Sequence, residues 1–154
     1  MSMFDDYISA LGAELGISLE SECSHVAFEV DALTVRLRYD EDQDEVVGDI
    51  CVYDIGENPT PQQQATLYTR CLEGQYCFGQ TASFSLGLSP DDRYLNLQGQ
   101  WKLGRTSDRA FIDSLEAFVQ TAKLCVGVLQ EAKDEETAAA PSDSGSINFD
   151  MLRV

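Results

Sequence analysis

Between Val26 and Tyr53 the chain alternates apolar and polar residues with period two in three successive runs, joined by links too short to hold a helix. Val26, Phe28 and Val30 alternate with Ala27 and Glu29. Leu33, Val35, Leu37 and Tyr39 alternate with Thr34, Arg36 and Arg38, and Val46 to Ile55 forms the third run, closed by Gly56. Parallel neighbours need a long crossover, so strands linked this closely form an antiparallel meander. Asp31-Ala32 reads as a hairpin turn, and Asp40 to Glu45, five acids in six residues, as a solvated loop.

Helical period frames the meander. Phe4, Tyr7, Ile8, Leu11 and Leu15 share one face of a helix over about residues 3–15, with Asp5 and Asp6 in its first turn and Gly16 as its cap. Asn58-Pro59-Thr60-Pro61 opens a second helix, Thr60 at the N-cap and Pro61 at the first position. Its expected buried stripe is Ala65, Tyr68, Cys71 and Leu72, and Gly74 ends it. Ala82, Phe84, Leu86 and Leu88 alternate as a fourth strand. After the Ser89-Pro90-Asp91-Asp92 turn, Leu95, Leu97, Gly99, Trp101 and Leu103 alternate as a fifth. Ser107 or Asp108 caps a long last helix whose broad stripe runs from Phe111 to Leu129.

The order α-β-β-β-α-β-β-α predicts an α+β fold, an antiparallel sheet packed with helices. A chain of 154 residues fits one domain. The expected domain is 1–132. From Lys133 the composition turns to acids, Ala, Ser and Gly, which predicts a disordered tail over 133–154 with apolar anchors from Ile147 to Val154 near its end.

Twenty-seven Asp and Glu against ten Lys and Arg give a net charge of −17, a field that repels phosphates. Nucleic acid and anionic membranes are therefore excluded as partners. The longest apolar run, Leu124 to Leu129, is far short of the roughly 20 residues that span a bilayer, and the acidic N-terminus does not read as a signal peptide. A cytoplasmic protein is expected. Five cysteines without a C-x-x-C read as reduced thiols.

Catalytic chemistry finds little support. His25, the single histidine, lies two residues after Cys23 on one extended segment, whereas a nucleophile and its base normally meet from separate elements. Two such ligands do not complete a zinc site. Asp40, Asp42 and Asp44 match the first three ligands of a calcium-binding loop, but Glu45 stands where its glycine belongs and Cys51 where its bidentate Glu belongs. No glycine-rich phosphate loop is present. The expectation is a protein that is not an enzyme and carries no cofactor.

The opening helix Phe4-Asp5-Asp6-Tyr7-Ile8-Ser9-Ala10-Leu11-Gly12, the meander Val26 to Tyr53, the Pro59-to-Leu72 helix, the Phe84-to-Leu103 hairpin and the long last helix together resemble the class I type III secretion chaperones. This is the Tir chaperone (CesT-like) family of Gram-negative bacteria, and the resemblance covers about residues 3–132. It implies a homodimer that binds the N-terminal, non-globular segment of a secreted effector and keeps it soluble and secretion-competent, a virulence function in protein transport. The secretion-apparatus ATPase is a further candidate partner. Such a client can add a strand to a sheet edge or place apolar side chains between helix and sheet.

Alternation puts Val47, Asp49, Cys51 and Tyr53 on one face of the third strand, and both of its faces are partly apolar. Either helices cover both faces, or Phe4, Ile8, Phe28, Val47, Cys51 and Tyr53 line a client groove. Arg36 and Arg38 either pair with an acidic client residue or neutralise the acidic loop. The resemblance places the dimer interface on the second helix and the strand after it, where Tyr68, Leu72, Tyr76, Phe78 and Phe84 lie. The bland reading of these aromatics is monomer core. The competing function is an acidic adaptor of the same fold that binds a folded partner.

Overall fold

The computed structural model describes residues 2–76 and 81–139. Its elements are α1 (Met3–Leu15), β1 (His25–Val30), β2 (Leu33–Asp40), β3 (Glu45–Asp54), α2 (Pro61–Gln75), β4 (Ser85–Leu88), β5 (Tyr94–Lys102), a 3-10 turn (Leu103–Arg105) and α3 (Asp108–Ala139). This is the expected α+β order. The five strands form one antiparallel sheet in the order β1-β2-β3-β5-β4.

Local chemistry sets the helix ends. Asp5 N–H donates to Ser2 Oγ at 3.2 Å while Ser2 N–H donates to Asp5 Oδ2 at 2.7 Å, a reciprocal capping box. Ser21 Oγ also donates to Asp5 Oδ1, and these hydrogen bonds, Ser21's foremost, hold the Asp5 carboxyl below the usual carboxylate range. Gly16 ends α1 at φ 69°, a left-handed cap. Thr60 and Gln63 repeat the capping box at α2 behind Pro61. Ser107, rather than Asp108, caps α3, its Oγ accepting from Ala110 N–H at 3.3 Å.

The core lies between one face of the sheet and the helices. Val35, Leu37, Val46, Ile50 and Leu97 face Phe4, Ile8, Phe111 and Phe118, all at most 1% exposed. Each such side chain contributes roughly 1.5–3 kcal/mol on burial. Trp101 meets the rings of Phe111 and Phe118 edge-on at 5.7 and 5.4 Å, and its indole N–H donates to Ser114 Oγ at 2.8 Å.

The acidic loop is a structural joint as well as a solvated turn. Asp44 accepts from Tyr39 Oη and from Gly104 N–H, each at 3.0 Å, tying the β2–β3 turn to the chain beyond β5. Its neighbour Glu45 pairs with Lys102 at 2.8 Å.

Four expectations are corrected. β4 begins at Ser85, because Ala82 takes a left-handed φ of 52° in a turn that breaks the alternation. Gly74 lies inside α2, which runs to Gln75. The buried positions of α2 are Leu67, Cys71 and Gly74, while Ala65 and Leu72 face outward. α3 extends through Ala139, past the expected boundary at 132: Lys133 to Ala139 are mostly strong helix formers, and elongating an existing helix is easy. Residues 140–154 of the expected tail lie outside the described residues.

Candidate functional site

Two concave surfaces lie on opposite faces of the sheet. The first is a groove of about 340 Å³ between α1, β1 and α3. Leu11 and Leu15 come from α1, Phe28 and Val30 from β1, and Ile112, Leu115 and Val119 from α3. The 3.6-residue period of the helices and the two-residue period of β1 turn these apolar side chains toward one another. Leu15 remains 38% exposed, so the groove is open along one lip. Ion pairs cross its rim: Arg109 bridges Glu14 at 3.4 Å and Asp113 at 2.9 Å, and Lys123 pairs with Asp31. Being exposed, these pairs orient the rim more than they stabilise it.

The second surface is a shallow basin of about 690 Å³ on the face of the sheet away from the core. His25, Ala27, Arg36, Arg38, Val47, Asp49 and Gln98 line it, with Glu20 and Glu22 at its edge, and no helix contributes to the lining. Of the two readings of β3, full cover on both faces is therefore the one that fails. Arg36 pairs with Asp49, its partner in the β2–β3 register, rather than with the acidic loop.

The residues expected to share one client groove are dispersed. Phe4 and Ile8 are 0% and 1% exposed, and Phe4 stacks on Tyr39 at 5.4 Å inside the core. Phe28 is in the α1–β1–α3 groove. Val47 and Arg36 lie in the opposite basin, and Cys51 is half-buried, with burial pushing its thiol pKa up. Tyr53 is half-buried and keeps the burial phase of Val47, Asp49 and Cys51, Val52 being the buried residue beside it. A bulge between Cys51 and Tyr53 pairs Tyr53 with the core residue Leu95, and its ring packs against the core. The extra residue, Val52, shifts the β3–β5 register by one while the burial alternation of β3 continues, and no local residue type announces it.

The expected dimer residues divide as well. Leu72 and Tyr76 are 73% and 78% exposed at the end of α2. Tyr68 is half-buried against the core, and Phe84 is buried, its ring 4.9 Å from Phe118. For Phe84 the core reading is correct; Phe78 lies outside the described residues. Leu124 of α3 and Leu88 of β4 are 65% and 40% exposed and absent from the expected set. The signal for Leu124 was available, because it falls between the positions of the buried α3 stripe. Where α2 meets α3, Cys71 and Cys125 are both buried. Burial first, and then the neighbouring Cys125, pushes the Cys71 thiol up to about 11.

Among the described residues no helix is long and apolar enough to cross a membrane. No curated protein sequence matches the chain. The crystal structure of the ExsC-ExsE complex is similar with a TM-score of 0.65 and 13% identity, over 81% of this chain and 92% of that one. The HopA1-SchA chaperone-effector complex follows at 0.60 and 12%, over 84% and 94%. YbjN from E. coli shares the fold at 0.53 and 11%, over 85% and 92%. At these identities the likeness is one of fold. The model of the Tir chaperone protein (CesT) family matches residues 6–124, from the first helix through both hairpins into α3, and the chain is a member of that family.

Proposed function

We propose that this protein is a type III secretion chaperone that binds the N-terminal non-globular segment of a secreted effector and keeps it soluble and secretion-competent. The observation that carries this reading is the α1–β1–α3 groove, apolar on its floor and open along one lip, in a member of the CesT family. Two solved complexes of similar fold, one titled a chaperone-effector complex, support it. An unfolded client places apolar side chains in the groove while its backbone joins the adjacent edge of β1. Ordering the client costs entropy, so a broad surface is required, and pairing two protomers doubles it. The net charge of −17 keeps the loaded assembly dispersed. The work is binding rather than catalysis, and the cytoplasm is where such a client is met before export.

The homodimer is proposed to form through the end of α2, where Leu72 and Tyr76 expose apolar surface. The secretion-apparatus ATPase is proposed as the receiver of the loaded chaperone.

Co-expression with an effector fragment of ~50–100 residues, a length matched to coupled-folding interfaces, tests the function. The expected result is a soluble complex in which the fragment stays protease-sensitive outside the contacted stretch. Binding of the folded effector but not of the fragment favours the adaptor reading instead.

A further inference from the structure

An open sheet presents unpaired backbone groups along two edges, each a template for an added strand. Here the edges are β1, whose sheet neighbour is β2, and β4, whose neighbour is β5. They differ in how far they are occupied.

On β4, the last residue of α2 reaches the edge. Gln75 Oε1 accepts from the Leu86 backbone N–H at 2.6 Å, and Gln75 Nε2 donates to the Phe84 carbonyl at 3.3 Å. The amide can face only one way, since a backbone N–H requires an acceptor and a carbonyl a donor. Phe84 and Leu86 flank Ser85, which is paired with Gln98 of β5. One residue of an added parallel strand would take the same two groups. The side-chain amide thus occupies the place of a strand residue. Beyond it β4 offers only the Leu86 carbonyl and Leu88, before Ser89 N–H turns back to Tyr94 O at 2.8 Å.

On β1, Glu22 and His25 exchange backbone hydrogen bonds of 2.8 and 2.9 Å on the side away from β2. By alternation the main-chain groups of Ala27 and Glu29 also point outward. Among the described residues no side chain is hydrogen-bonded to them.

We propose that Gln75 closes the β4 edge against strand addition and so directs an extended partner to β1. The proposal rests on the strand-addition reading of the function. It makes Gln75 a specificity-determining residue that touches no client. It also has a consequence without any client. A freed β4 edge can pair with the β1 edge of a second copy, a head-to-tail contact that builds rings or open chains.

Hydrogen exchange by NMR and sedimentation velocity on the full chain test this. In Gln75→Ala the Leu86 amide exchanges about tenfold faster, the net worth of one hydrogen bond. Concentration-dependent species also appear above the wild-type assembly. Gln75→Met, of similar length but with neither an amide donor nor a strong acceptor, moves both readouts in the same direction; Trp101 fluorescence confirms the native core in each variant. Unchanged Leu86 exchange in both variants overturns the plug. Faster exchange with wild-type sedimentation overturns its role in blocking strand addition. Neither readout uses an effector fragment, so failure here leaves the chaperone reading standing, and failure of fragment binding leaves the plug standing.

Discussion

The indole of Trp101 lies over Gly48 on the neighbouring strand: a methyl group placed there would stand 2.6 Å from its Cζ3 and 2.9 Å from its Cη2. Gly48 is paired with Gly99 across β3 and β5, and a methyl on Gly99 would lie 2.6 Å from the same ring. The two glycines form the slot in which the indole rests. Gly48→Ala is therefore expected to cost about 1–3 kcal/mol, the penalty for overpacking a close-packed core. Trp101 is the single tryptophan, so urea denaturation followed by its fluorescence reads the loss directly. An unchanged midpoint would show that the ring is not confined there.

The exposed end of α2 predicts an oligomer phenotype distinct from a folding one. Tyr76→Asp and Leu72→Asp, at side chains 78% and 73% exposed, should shift the light-scattering mass from two chains to one while leaving thermal unfolding of the protomer intact. Phe84→Ala should instead lower stability by about 3–5 kcal/mol, as truncation of a buried aromatic does. A dimer that survives both Asp substitutions is built elsewhere.

The two faces of the sheet make opposite predictions for client binding. Ile112→Glu puts a charge into the apolar groove beside Glu116 and should weaken an effector fragment at least tenfold by calorimetry. Arg38→Glu, in the basin on the other face, should leave the affinity within about twofold, as expected of an exposed charge outside the interface. The reverse pattern would place the client across the basin. With a basic fragment, binding should also weaken as salt rises, because screening removes the attraction of a −17 protein.

The cysteines should separate by reactivity and by pH. Cys23 is exposed and should react with a disulfide reagent at pH 8 before Cys71 and Cys125, which are buried, with thiols raised above their ordinary value. Cys71 rises from 9.0 to about 11, so its neutral thiol favours the fold below pH 9 and that contribution fades as pH climbs to about 11. Alkaline denaturation over this window should be shallower in Cys71→Ala. Rapid labelling of Cys71 in the folded protein would contradict the burial.

Much of the fold is legible residue by residue. Ser2 to Gly16, Thr60-Pro61 and the alternation from Val26 to Ile50 depend on neighbours within a few positions, and there the expected elements stand. The candidate site was legible only in fragments. Phe28 lines a groove, and Leu72 with Tyr76 lies on an exposed face although helical spacing puts Leu72 in the buried stripe of α2; the groove's other walls, Ile112, Leu115 and Val119, read along the chain as ordinary core stripe. Nothing in a helical stripe says where a partner helix stops and leaves a gap.

Among the described residues, periodicity and capping determined that three helices and five strands form and in what order, because hydrophobic spacing and capping are short-range. The tertiary structure decided which faces are left uncovered. The bulge that shifts the β3–β5 register after Cys51, the closure of α3 over Phe84 and the reach of Gln75 to Leu86 each depend on atoms brought together by the completed fold, and each arises from packing and hydrogen-bond satisfaction in three dimensions.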